Sequence, residues 1–305
     1  MSKPDQETLD DFIYMMELQH KANDWDPVYP ILKELHKDKP EEQAIWDSIL
    51  YVAYYNVGSG TIASRNTMYL TDVSPEFYNL PMGMQRRGLR GGKISKHLND
   101  LIGKVERYGT IRDFLRDGFD GNPKHDWTVV RENLEKVWGN GRYATYKIAE
   151  ILQRTHGWNI EAPDLGNYGS SGPRQGLEIL FDPVPGEGPE SIAKLDAYGV
   201  ELMDKARDRG LRPDFAMVET ALCDFHSINA GRYYVGQALD EVLGQLHKLI
   251  PRDPEGVLGS VWAARYKIFN KKYLGELNGW DGIDSHRNGH YLRTGEIVDR
   301  DEVIP

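Results

Sequence analysis

Cysteine is almost missing from this sequence: Cys223 stands alone. One thiol excludes an intrachain disulfide and any iron–sulfur or cysteine-rich zinc site, and it suits a reducing compartment. Long apolar runs are missing too. No stretch approaches about eighteen apolar residues, and the opening Ser2-Lys3-Pro4-Asp5-Gln6-Glu7 lacks a basic segment followed by an apolar one. Neither a membrane span nor a secretory leader is therefore expected. Positive charge is in deficit: 37 Lys+Arg face 47 Asp+Glu, a formal net charge of −10. That balance excludes a protein that coats nucleic acid or an anionic membrane through its net charge. Any DNA contact must use a local patch.

The 305 residues, 40% of them hydrophobic, suffice for a sizeable core in one large or two ordinary domains. Alternating β-branched runs are lacking and the dominant period is helical, so a mainly α fold is expected. Leu9, Phe12, Ile13 and Met16 share one helical face, as do Ile45, Ile49, Val52 and Asn56. Ile192, Leu195, Leu202, Met203 and Ala206 form a further stripe that Gly210 and Pro213 stop, after which Asp214 caps a new helix. Leu239, Val242, Leu243 and Leu246 mark another, ending before Pro251. Residues 162–189 carry five prolines and six glycines, which predicts a long loop of the kind that is functional or a flexible link. The polar stretch from Asp281 onward reads as a C-terminal tail, 281–305.

The segment 126–157 places two amphipathic patterns around Gly139-Asn140-Gly141. Glycines allow a sharp turn and close approach to a phosphate, and the N–H groups opening the second helix attract the anion. Arg142 and Lys147 would add charge. The pattern predicts either a helix–hairpin–helix that grips a nucleic-acid backbone or an ordinary helical hairpin closed by glycine. Upstream, Gln85 to Leu98 holds Arg86, Arg87, Arg90, Lys93 and Lys96 with no acidic residue. A basic, glycine-punctuated segment either tracks phosphates or is a solvated loop.

Beyond the hairpin, Glu161-Ala162-Pro163-Asp164 leads into Gly169-Ser170-Ser171-Gly172-Pro173-Arg174-Gln175-Gly176-Leu177. The serines, Gly172 and Arg174 offer hydroxyls, amides and a guanidinium to a phosphate; a surface ion pair is the plainer role for Arg174. Downstream, Glu219, Cys223 and His226 follow helical spacing and share a face. Carboxylate, thiol and imidazole there are weak grounds for a metal, and none is expected. Cys223 is either a small buried hydrophobe or a reactive thiolate.

A helix–hairpin–helix followed at this distance by Asp164 resembles the helix–hairpin–helix DNA glycosylase superfamily. The order of the Ala162-Pro163-Asp164, Ser170–Leu177 and Glu219–Phe225 motifs further resembles the alpha-glutamyl/putrescinyl thymine pyrophosphorylase family of bacteriophage amino acid:DNA transferases, over roughly residues 25 to 275. The resemblance implies a mainly α, two-lobed glycosylase-like unit spanning 1–305, with both chain ends contributing to the lobes and a cleft between them. It implies transfer of an amino acid or polyamine amine to the methylene of phosphorylated or pyrophosphorylated 5-hydroxymethyluracil in double-stranded phage DNA, by a monomer without cofactor, in the cytoplasm of an infected bacterium. The target base would be flipped, with Tyr54, Tyr55, Tyr143 or Tyr168 available to stack on it. Asp164, Glu219 and His226 become the catalytic candidates, with Glu161 close enough to replace Asp164. Ser170, Ser171, Gly172, Arg174 and Cys223 become the phosphate and substrate ligands. Arg86, Arg87, Arg90, Lys93, Gly139, Asn140, Gly141, Arg142 and Lys147 become the DNA contacts. Leu165-Gly166-Asn167-Tyr168 does not continue directly as the helix of standard glycosylases. A glycosylase that excises a modified base, and a noncatalytic DNA-binding module, are the alternatives.

Overall fold

The computed structural model describes residues 6–21, 25–65 and 79–269. The expected C-terminal tail lies outside them. Among the described residues the structure is helical, with no strand. Chain order runs α1 Gln6–Lys21, α2 Val28–His36, α3 Glu41–Tyr54, α4 Val57–Ser64, a 3₁₀ turn Met84–Leu89, α5 Lys93–Val105, α6 Ile111–Arg116 and α7 Pro123–Glu135. It continues α8 Arg142–Arg154, α9 Gly172–Leu180, α10 Pro189–Asp208, α11 Phe215–Asn229, α12 Gln237–Leu249, a 3₁₀ turn Ile250–Arg252 and α13 Leu258–Ile268.

Local chemistry sets the boundaries. Asp214 opens α11 by accepting the Met217 N–H at 3.0 Å, as the sequence predicts, and Thr110 opens α6 by accepting that of Asp113 at 2.9 Å. Asn56 does not extend the stripe of α3 but caps α4, accepting the Ser59 N–H at 3.0 Å. Each such cap stabilises its helix by about 1 kcal/mol. A cap can also come from a distant helix: the Glu42 carboxylate accepts the Ile111 and Arg112 N–H groups at 2.9 and 3.1 Å.

The chain forms two compact units. Unit 1 holds residues 6–21, 25–27 and 162–241 among those described. Its core is the stripe of α1 (Leu9, Phe12, Ile13, Met16) packed with Leu177, Leu202, Leu222 and Phe225 from α9, α10 and α11. Phe12 meets Phe225 edge-on at 5.3 Å. Unit 2 holds residues 28–65, 79–161 and 242–269. Here α3 packs on α4 and α8, and α7 on α8, around fully buried Trp46, Tyr54, Trp127 and Tyr146.

Residues 162–189 depart from the expected loop, because they contain α9. Pro173 stands at the start of that helix, where a missing N–H costs nothing. Gly176 lies where an added Cβ would strike the backbone of Leu222. The residues that look like helix breakers are the ones that let α9 start and lie against α11.

Candidate functional site

Unit 2 brings together two features that are separate in the sequence. The 3₁₀ turn and α5, which carry the basic residues, pack directly on the turn between α7 and α8. Arg86 donates to the carbonyl of Gly139 at 3.1 Å and to Asn140 Oδ1 at 3.3 Å, while its Nε reaches the Ala53 carbonyl at 3.4 Å. Asn140 in turn donates to the Leu134 carbonyl at 3.1 Å and closes the end of α7. His97 Nδ1 lies 2.7 Å from the Trp138 carbonyl, and Asp100 accepts the Trp138 N–H at 2.7 Å. Gly139 has φ +86°, and a Cβ there would come within 2.9 Å of Leu89. The positive φ favours glycine here, and a side chain would also have to displace Leu89.

Two expectations are corrected by this arrangement. Arg86, 6% exposed, is a brace inside the turn and does not face a phosphate. Burial lowers its pKa to about 10, which leaves it charged at neutral pH. Lys147 is also buried: it pairs with Glu150 at 2.9 Å and donates to the Tyr29 hydroxyl at 3.1 Å, while that hydroxyl donates to Glu150 at 2.5 Å. A lysine on the inner face of an amphipathic helix must find a carboxylate, and here α8 supplies one three residues on.

The surface left around the turn is nonetheless basic. Arg87, Arg90, Lys93 and Lys96 are exposed, as are Gly139 and Gly141. Lys96 lies over the ring of the exposed Trp138 at 4.2 Å. Arg142 opens α8 with its guanidinium 5.1 Å from the Tyr146 ring centre. Of the tyrosines considered for stacking, Tyr54 is fully buried and is corrected to core. Tyr143 meets Tyr55 edge-on at 5.3 Å; burial, then the neighbouring Tyr55, push its phenol well above the usual 10.0. Asp120, His125 and Asp126, not singled out in the sequence, bring potential ligand atoms within 4.8 Å of one another. They also close their own loop, His125 lying 3.1 Å from Asp120 and Asp126 accepting the Asp120 N–H at 3.0 Å.

In unit 1 the chain from Asp164 to α9 is tightly organised. Asp164 accepts the Gly166 N–H at 2.7 Å. Asp196 of α10 accepts from the Leu165 N–H at 3.2 Å and from Asn167 Nδ2 at 3.3 Å. Burial, and secondarily the nearby Asp164 charge, raise the Asp196 pKa against those hydrogen bonds. Leu165, Asn167 and Ser170 are buried, whereas Tyr168 between them is 71% exposed. Ser171 stands before α9 without a side-chain capping bond. Arg174 donates to the carbonyls of Val184 and Gly186 at 3.1 and 2.7 Å and pairs with Glu187 at 3.5 Å. The expected phosphate clamp is thus corrected to a brace of the turn that follows α9.

The predicted face of α11 is divided by its packing. Glu219 is buried at 7% exposure, and Cys223, one turn on, is exposed. The reading of Cys223 as a buried hydrophobe is therefore corrected. Its Sγ would lie 2.7 Å from a Cβ on Gly172, so the absent side chain lets the thiol approach the start of α9. His226 is half-buried and 3.0 Å from Arg232. Asn167 and Asp196 were missed by sequence reasoning. The glycines on either side of Asn167-Tyr168 were the available signal; the pairing with Asp196 had none.

The segment that holds the glycine turn, the Asp164 loop and α11 is also what comparison with known proteins finds. A family model described as amino acid:DNA transferase matches residues 20–234. The chain is similar to a putrescinyltransferase of Delftia phage PhiW-14, with 26% identity over 237 residues, covering 72% of this chain and 73% of that protein.

Proposed function

The chain belongs to the amino acid:DNA transferase family, and on that premise we propose that it transfers an amine, from an amino acid or a polyamine, to the methylene of phosphorylated or pyrophosphorylated 5-hydroxymethyluracil in double-stranded DNA. The observation that carries this reading is the loop from Asp164 to Gly172. It joins a carboxylate, two serine hydroxyls and the first turn of α9 in one short stretch.

The chemistry asks little else. The amine nitrogen attacks the methylene carbon, the C–O bond breaks with its electron pair leaving on the phosphate oxygen, and the new ammonium loses a proton. Asp164 takes that proton, a general-base role that contributes about 10²- to 10⁴-fold. Glu219, a buried carboxylate on α11, holds the donor's ammonium and accepts its first proton, which frees the amine to attack, and His226 is a second base on the same helix. Ser171 and the N–H groups of the first turn of α9 receive the leaving phosphate, because a helix start favours an anion.

On unit 2 the exposed Arg87, Arg90 and Lys93 and the half-buried Arg142, with the Gly139–Gly141 turn, hold the phosphate backbone without reading sequence. This is how a chain of net charge −10 takes a polyanion. The reacting base leaves the stack at a cost of about a few kcal/mol.

Incubation with DNA containing phosphorylated or, separately, pyrophosphorylated 5-hydroxymethyluracil and a mixture of amino acids and putrescine, followed by digestion to nucleosides and mass spectrometry, tests the reading. Transfer adds the amine's mass to the base and leaves the sugar–base bond intact. Release of free base with an abasic site would replace the reading with excision, and unchanged nucleosides would replace it with binding alone.

A further inference from the structure

The Asp164 loop contains two buried polar atoms without a hydrogen-bond partner, Asn167 Oδ1 and Ser170 Oγ. Asn167 is 1% and Ser170 9% exposed. Buried polar groups are normally paired, and an unpaired one carries a desolvation cost that a bound ligand's hydrogen bond removes. Two of them fall within six residues of Asp164.

For Asn167 the orientation of the amide follows from its neighbour. Asp196 already accepts the Leu165 N–H and lies 3.3 Å from Asn167 Nδ2. A carboxylate accepts, so the NH₂ group faces Asp196 and the carbonyl Oδ1 is turned away from it. The Asn167 main-chain carbonyl accepts the Ser170 N–H at 3.2 Å, which holds both residues in one turn. Between them the Tyr168 ring stands 71% exposed. Gly166 and Gly169, with φ +59° and +67°, flank the pair Asn167-Tyr168 and supply the positive-φ geometry of the turn. One turn therefore offers an oriented acceptor, a hydroxyl and an aromatic face.

We propose that this turn reads the ring edge of the target base, with Asn167 Oδ1 accepting the N3–H of a uracil-type pyrimidine, Ser170 Oγ donating to an adjacent ring carbonyl and Tyr168 stacking on the ring. The inference rests on the pyrimidine target proposed above and makes Asn167 the specificity-determining residue. A uracil-type ring presents a donor at N3. A cytosine-type ring presents an acceptor there, and two acceptors then face each other with neither paired. Sites built to hydrogen-bond a substrate N–H reject analogues that lack it far more strongly than apolar pockets separate shapes.

The test uses the full chain, putrescine with mixed amino acids, and three DNA duplexes. Each carries one activated residue opposite an abasic site, so that none is base-paired, and each is supplied both as its phosphate and as its pyrophosphate: 5-(phosphooxymethyl)-deoxyuridine, its N3-methyl derivative, or 5-(phosphooxymethyl)-deoxycytidine. The wild-type protein is expected to prefer the first by about 10²-fold or more in kcat/KM. Asn167→Ala is expected to bring the first substrate within about tenfold of the other two without lowering theirs. Wild-type turnover that ignores N3 methylation overturns the inference, whether or not the variant folds. Discrimination that persists in a folded Asn167→Ala also overturns it. Wild-type transfer to none of the three overturns the proposed function and this inference together, which distinguishes the two failures.

Discussion

Two glycine-bearing segments each lead into a helix, Gly139-Asn140-Gly141 into α8 and Gly169-Ser170-Ser171-Gly172 into α9, and they differ in what their neighbours' polar groups do. Around the first, Arg86, His97, Asp100 and Asn140 all bond to the turn or to the end of α7. Around the second, Asn167 Oδ1 and Ser170 Oγ have no partner and Ser171 makes no side-chain cap. The first segment is a support whose neighbouring polar groups are hydrogen-bonded within the protein. The second keeps hydrogen-bonding capacity in reserve, which is what a substrate turn needs.

The largest expected effect falls on the second segment. Asp164→Asn keeps the side chain's shape and an acceptor for the Gly166 N–H, so folding and DNA affinity should persist while transfer drops by about 10²- to 10⁴-fold. Single-turnover mass spectrometry measures it. Wild-type rates in a folded variant would move the proton acceptor to Glu161, which is exposed. A rise in the apparent KM for the amine is the companion expectation for Glu219→Gln.

Acid should act on the first segment's unit. Burial depresses His97 and His156 to about 4 from 6.5, with the Arg86 charge adding to the shift of His97. Their folded pKa values lie below the unfolded ones. The unfolded chain therefore binds protons first as pH falls, and the stabilisation is complete above about 6.5 and lost as pH falls toward about 4. The loss in unit 2 should be on the order of a few kcal/mol. Urea melts at stepped pH, with hydrogen exchange at the glycine turn, follow it, and a profile flat from pH 7 to 4.5 would contradict the depressed pKa values of the two rings.

Arg86→Ala should follow in size. It leaves the Gly139 and Ala53 carbonyls and Asn140 Oδ1 without their donor, at a cost of about 2–4 kcal/mol. Lysine should restore only part, since it has no planar fork. Denaturant midpoints decide, and an unchanged midpoint would mean that the turn holds without its brace. The smallest effect is expected from Arg87→Gln with Arg90→Gln. These residues are exposed, so stability should stay put. The slope of log affinity against log salt should flatten by about one for each DNA phosphate that the variant no longer neutralises. A slope equal to that of the wild type would remove these arginines from the DNA surface.

Much of the fold is legible because helical periodicity and capping act locally. The stripe Leu9, Phe12, Ile13 and Met16 marks α1, Asp214 marks the start of α11, and the two helices around Gly139-Asn140-Gly141 appear as α7 and α8. Residues 162–189 read as a loop and yet contain α9 for a physical reason. Proline and glycine break helices on average, but Pro173 at a helix start and Gly176 at a helix crossing do not. The basic segment before α5 also looks uniform as sequence. Only packing separates Arg86, turned inward, from Arg87 and Arg90.

By itself the sequence determined the helical class, the glycine turns, the excess of acid over base and the order of chemistry-bearing motifs, because each depends on residue type and short spacing. Tertiary structure decided which charges are buried, that Lys147 answers Glu150 and Tyr29, that Arg174 braces its own chain, and that Asn167 is oriented by Asp196. These outcomes depend on which partner comes within about 3 Å, the reach of a hydrogen bond. Residues 29 positions apart, such as Asn167 and Asp196, meet only once α10 has packed, and no local pattern in the chain records that meeting.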